Sequence, residues 1–380
     1  MEIQGSCIEE FEGLRRTFEQ NFAEHGEVGA RITLIRDEET VVDLWGGFED
    51  EERTRPWTPE TLVCTMSVSK GVVAMAAHCL ADRGELDYSA PVAEYWPEFG
   101  QNGKESVTVE QLLSHLTALT FIDAAEPDDV FHWDRFIRKI EAQAPGWKPG
   151  TKGTYHSVTY GFLVGELVRR ISGKTIDQFI RDEISGPLGA NYVLGASDRE
   201  LEHWVPHIMN PESELVIRLF GQQSDDLKRI YQPMPADRSA MTRPEYFKSV
   251  IPSMNGISNA MGIARLFAPL AFDGAFDGVR LFCPETIALA TKEQWHYPDP
   301  IMGDEFRCGM GLLLHTAFSD FGRDGNVGSA GAGGYTVFAD PKNRLCFAYT
   351  PNRFTTGKGL GDESRRLVRA LYECPSVDAG

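Results

Sequence analysis

The chain has little of what marks a membrane, secreted or metal-held protein. No Cys-x-x-Cys occurs, and the seven cysteines (Cys7, Cys64, Cys79, Cys283, Cys308, Cys346, Cys374) are scattered and odd in number. Neither a zinc knuckle nor a redox pair is signalled, and a disulfide framework is not expected. Long apolar runs are missing as well: the longest, Gly71 to Ala77, is far short of the ~20 residues that span a bilayer. The N-terminus, Met1-Glu2-Ile3-Gln4, has no basic stretch leading into an apolar one, so a cytoplasmic location is the expectation. Positive charge is scarce. The balance of 37 Lys+Arg against 56 Asp+Glu gives a net charge of -19. Such a surface repels phosphate backbones and anionic lipid, so no nucleic-acid partner and no membrane partner is expected. Oligomeric state is not readable from these features.

The remainder is ordinary globular composition, 42% hydrophobic and 24% charged over 380 residues, enough to bury a large core without cross-links. Ile8, Phe11, Leu14, Phe18 and Phe22 recur every three or four residues, which predicts an amphipathic helix. Ala30–Arg36 and Thr40–Trp45 read as strands joined by Asp37-Glu38-Glu39. From Ser67 the pattern turns helical, with Val72, Val73, Ala76, Ala77 and Leu80 on one face. Tyr160–Ile171 and Met261–Phe272 are further helical stretches in a long middle section. Strand chemistry returns in Gly309–Leu314, Tyr335–Ala339 and Leu345–Thr350, the last two joined by Asp340-Pro341-Lys342-Asn343. A closing helix spans Asp362–Tyr372.

Strands at both ends with helices between predict an α+β fold. One antiparallel sheet would be built from both termini and covered by the terminal helices, with a large all-α insertion. The expected division is 1–75 with 308–380 for the sheet part and 76–307 for the mainly helical part. A cleft between them is the natural place for a site.

Ser67-Val68-Ser69-Lys70 is the leading chemical candidate. Lys70 lies one helical turn after Ser67 on the same face. A helix start supplies unpaired N–H groups that favour a developing oxyanion, and a partly desolvated lysine can accept a proton. The bland alternative is a helix-capping serine followed by a solvent lysine. Tyr155-His156-Ser157 adds a phenol usable as a base beside a cation. Ser329-Ala330-Gly331-Ala332-Gly333-Gly334 runs into a strand rather than a helix, so it is no dinucleotide loop. His203 and His207 are four apart, but Pro206 interrupts them and no third ligand is spaced to match, so no metal is assigned. Gly-x-Ser-x-Gly is absent, which disfavours an α/β-hydrolase. Trp133, Trp147, Trp204 and Trp295, with Phe131 and Phe136, fall in the expected helical part, most as core and some as lining for an acyl pocket.

Ser67-x-x-Lys70, Tyr155-x-Ser157 and the Gly-rich Ser329–Gly334, in this order, resemble the serine β-lactamase and penicillin-binding-protein superfamily, most nearly its class C-like esterases, the family VIII carboxylesterases. The likeness runs on through Gly84-Glu85-Leu86-Asp87, Gln111-Leu112-Leu113-Ser114-His115, Tyr160-Gly161, Asn255-Gly256, Gly309-Met310-Gly311 and Phe338-Ala339-Asp340-Pro341 to Asn352-Arg353. The resemblance implies that Ser67 is acylated and that Lys70 and Tyr155 move its proton, with either as the base. It implies an oxyanion hole from the amides of Ser67 and Ala332, and a supporting role for Ser157. Ser329-Ala330-Gly331 stands where penicillin-recognising relatives carry Lys-Thr-Gly, and Arg353 is the candidate to replace that missing lysine. His115-Leu116-Thr117-Ala118-Leu119 departs from the usual His-Thr-Ser-Gly-Leu. The function implied is cleavage of a small-molecule ester through an acyl-enzyme, without cofactor. A β-lactamase, a D-amino-acid peptidase or an acyltransferase on the same scaffold is the alternative, and a catalytically silent binding protein is the rival of another class.

Overall fold

Nine strands form one antiparallel sheet in the computed structural model, which describes residues 2–213, 217, 221, 223–357 and 359–377. They are β1 (Gln4–Cys7), β2 (Gly29–Arg36), β3 (Glu39–Gly47), β4 (Trp295–Pro298), β5 (Glu305–Cys308), β6 (Leu313–Leu314), β7 (Val327–Gly331), β8 (Tyr335–Asp340) and β9 (Leu345–Pro351). Their spatial order is β1-β3-β2-β9-β8-β7-β6-β5-β4. The two ends of the chain therefore meet in mid-sheet, where β2 pairs with β9 through Ile32↔Tyr349 and Leu34↔Phe347. The β2–β3 turn places Asp37 and Glu38 at φ 50° and 68°, the paired positive values whose twist suits a two-residue hairpin.

Alternation along the strands builds two cores. Phe338, Phe347, Tyr349, Ile32 and Leu44 face α1 (Glu12–Glu24) and the closing helix. Val337, Ala339, Cys346 and Ala348 face the opposite way, toward α2 (Val68–Asp82), α3 (Thr159–Ser172) and α4 (Ala260–Phe267). The closing helix is α5 (Asp362–Tyr372). Phe18 of α1 is fully buried, so Phe18→Ala would cost about 3–5 kcal/mol. Helix α2 is mostly apolar and buried on every side from Val68 to Leu80, with Ser69, Lys70 and His78 among the buried residues, as befits a helix enclosed between a sheet and other helices. No helix among the described residues is long and apolar enough to cross a membrane.

Three expectations change. The strand expected at Gly309–Leu314 reduces to Leu313–Leu314, because Gly311 at φ 81° turns the chain back so that Leu313 pairs with Cys308. The helix expected to reach Phe272 ends at Phe267, and a 3₁₀ turn with Pro269 follows, since proline cannot continue the hydrogen-bond ladder. The second part of the sheet also begins at Trp295 rather than 308. Strands β4 and β5 lie at its edge and are interleaved with His296, Glu305 and Arg307, which hid their pattern.

Candidate active site

The short strand Val63–Cys64 pairs with Ile257–Ser258 and delivers the chain to α2. Met66 then adopts φ 51°, a left-handed conformation that costs a non-glycine residue about 1 kcal/mol. This strained turn sits immediately before Ser67. Ser67 has helical dihedrals, and its hydroxyl makes no capping bond to the helix. The capping alternative therefore does not hold. Its Oγ instead accepts from Lys70 Nζ at 3.2 Å.

Lys70 is 3% exposed and donates a second bond to the Ser253 carbonyl at 2.8 Å. Ser253 is itself held, its hydroxyl donating to the Val158 carbonyl and accepting from the Gly161 amide at 2.7 Å. A Cβ on Gly161 would lie 2.3 Å from the Ser253 nitrogen, so glycine here lets α3 press against that segment. Burial drives the Lys70 ammonium down to about 7. Roughly half of it is then neutral at pH 7.

Tyr155 packs against the same ammonium, with Lys70 Nζ 4.9 Å from its ring centroid. Its ring stacks on Phe306 at 4.9 Å and 17°, and the His115 ring lies 5.0 Å away. Burial pushes the phenol well above its ordinary value, and the Ser67 hydroxyl offsets only part of this. The phenol is thus the protonated member of the pair and Lys70 the one poised to lose a proton.

Two buried histidines back this group. The His156 amide donates to His115 Nδ1 at 3.1 Å, which places the His115 proton on Nε2. His156 Nδ1 faces the Thr154 carbonyl, so it donates, and Nε2 accepts from Thr117 Oγ1 at 2.8 Å. Burial holds His156 down to about 4 and His115 well below its usual range, with the Lys70 charge adding to both. Neither is a cation at neutral pH. His115 and Ala118 both sit at positive φ, 60° and 61°, so the departure from glycine at Ala118 is carried as backbone strain.

The Gly-rich segment reaches Ser67 from the sheet. Ser329 is buried on β7 and its hydroxyl donates to the Ser67 carbonyl at 3.3 Å. A Cβ on Gly331 would lie 2.4 Å from the Thr65 carbonyl, so this glycine serves contact between the strand and the turn that leads to Ser67. The amides of Ser67 and Ala332 donate to no backbone carbonyl among the described residues. Ser157 is buried, and its hydroxyl has no partner among the described residues.

Arg353 makes its side-chain hydrogen bond elsewhere. Its guanidinium donates to the Gly26 carbonyl at 3.0 Å, beyond the end of α1, where it also faces the buried Glu27. The expectation that it replaces a carboxylate-binding lysine is not met, because the loop between α1 and β2 already engages it. His207 bonds Tyr335 Oη through Nδ1 at 2.9 Å, His203 is exposed, and no group of three His, Cys, Asp or Glu that could hold a metal occurs among the described residues. Trp295 belongs to β4 and not to the helical part. Ser253, Asp299 and Phe306 were missed as site residues, because each joins the site from a segment more than 90 residues from its partner.

A model of the family described as Beta-lactamase matches residues 14–371. The chain is 30% identical over 375 residues to the Esterase/beta-lactamase LipL of Mycobacterium tuberculosis, covering 95% of this chain and 86% of that protein. The crystal structure of a family VIII carboxylesterase superposes with a TM-score of 0.91 at 35% identity, over 98% of this chain and 100% of that one. A penicillin-binding-protein homologue from Caulobacter crescentus gives 0.89 at 35% identity, over 98% and 99%. The chain belongs to the β-lactamase family, whose motifs its Ser67, Lys70 and Tyr155 resemble.

Proposed function

We propose that this protein is a serine carboxylesterase that hydrolyses neutral small-molecule esters through an acyl-enzyme on Ser67. One observation carries the reading: Ser67 Oγ lies 3.2 Å from an amine that burial brings down to about 7. In the proposed sequence Lys70 takes the hydroxyl proton as Oγ attacks the ester carbonyl. The Ser67 and Ala332 amides receive the oxyanion. The tetrahedral intermediate collapses as the Tyr155 phenol gives its proton to the departing alcohol, and Lys70 returns a proton to the phenolate. Water then attacks the acyl group, its proton passing to the same pair, and Ser67 leaves reprotonated with release of the acid.

Neutral rather than anionic substrates are favoured on two grounds. Ser329 carries no charge, and Arg353 is committed to the Gly26 carbonyl. The net charge of -19 further discourages anions. The names of the similar esterases support the ester reading.

A fluorophosphonate probe tests it. Labelling of Ser67 in step with loss of p-nitrophenyl butyrate hydrolysis is expected, and full hydrolysis by a protein labelled completely at Ser67 would refute it.

A further inference from the structure

The loop between β4 and β5 carries a carboxylate that the proposed sequence does not use. Asp299 is 2% exposed. Its Oδ1 accepts from the amides of Ile301 and Met302 at 2.8 and 2.9 Å. Its Oδ2 accepts from the Tyr155 amide at 2.6 Å, across 144 residues of sequence. The first two bonds close the loop. The third reaches out of it to the residue that bears the phenol.

The rest of the hairpin converges on the same short segment. Phe306 of β5 stacks on the Tyr155 ring. Tyr297 of β4 accepts from the Gly153 amide at 2.5 Å. Trp295 donates from Nε1 to the Ser114 carbonyl at 2.8 Å, beside His115. The phenol is thereby gripped at its backbone by a charge-assisted bond, roughly twice as strong as a neutral one, and at one ring face by an aromatic.

We infer that Asp299, with Phe306, is a positioning residue for Tyr155, holding the phenol where protons pass between Ser67, Lys70 and the departing alcohol. The inference rests on the catalytic reading above. An acid that only closed its own loop would affect folding and leave the chemistry alone.

A double-mutant cycle separates the two. Asp299→Asn keeps the size but turns an NH₂ toward one set of amides. It is expected to lower kcat on p-nitrophenyl butyrate about 10- to 100-fold with KM within about twofold, since sub-ångström misplacement acts on the reacting geometry. In the Tyr155→Phe background the same change should cost less than about twofold, because a residue acting through the phenol has nothing left to act on. Equal losses in both backgrounds would overturn the inference. If Asp299→Asn does not fold, Phe306→Leu in the same cycle decides by the same criterion. Loss in Tyr155→Phe with none in Asp299→Asn overturns this inference alone. Near-full activity in Tyr155→Phe overturns the catalytic reading and this inference with it.

Discussion

Lys70 Nζ sits one helical turn beyond Ser67, 3.2 Å from its hydroxyl, with its second hydrogen bond going to a backbone carbonyl rather than to an acid. That arrangement explains why an amine in this place can act as a base. A carboxylate partner would hold the ammonium charged, whereas a carbonyl and an aromatic ring cannot offset its desolvation.

The same arrangement fixes the pH response. With Lys70 at about 7, kcat/KM should fall roughly tenfold per pH unit below about 7 as the amine is protonated. A rate profile between pH 5 and 9 measures this. A flat profile down to pH 5 would contradict a basic role for Lys70.

Stability should move the other way in a variant lacking the amine. The folded-state value of Lys70 is depressed from 10.5 to about 7, so the unfolded chain binds more protons across that window and wild-type stability rises with pH there. Lys70→Met should therefore lose most of its turnover yet be more stable at pH 7 by roughly 4 kcal/mol, the size of that shift at about 1.4 kcal/mol per unit, with the gain shrinking toward pH 10. Denaturant unfolding at the two pH values checks it.

Lys70 and Tyr155 should behave as one proton-handling unit. Each single loss is expected to lower kcat by about 10²–10⁴-fold, and the double variant should be little worse than the singles. A multiplicative loss, measured by steady-state kinetics on one ester, would separate their roles.

Selectivity follows from Ser329 and Arg353. A neutral hydroxyl lacks the Coulomb attraction a lysine would give a substrate carboxylate, worth a few kcal/mol at an effective dielectric near 20. Nitrocefin should be turned over at least about a hundredfold less efficiently than p-nitrophenyl butyrate. Arg353→Ala should leave both rates nearly unchanged, because the guanidinium is held at Gly26. Comparable wild-type efficiencies on the two substrates would overturn the preference for neutral esters.

What was legible in the sequence follows a physical division. The closing helix Asp362–Tyr372 was readable to the residue, since Gly361 precedes it and Leu367, Val368 and Leu371 mark its buried face. That Ser67, Lys70 and Tyr155 come together was legible from the resemblance of motifs in order, where local spacing alone left a capping serine open. The support of Tyr155 was not. Asp299 and Phe306 lie on a short edge hairpin whose polar residues mask its alternation, and their contacts are made across 144 and more residues. Ser253 contributes to Lys70 through its carbonyl, a group every residue has. Arg353 was misplaced because its position after β9 is readable but its direction is set by the Gly26 carbonyl.

The most direct test of the account is the mass of the protein quenched during turnover of a slowly deacylated aryl ester. A single acyl increment is expected, on the peptide containing Ser67, and it should disappear in a folded Ser67→Ala variant that no longer turns over substrate. An increment found only on Ser69, or turnover retained by Ser67→Ala, would contradict it.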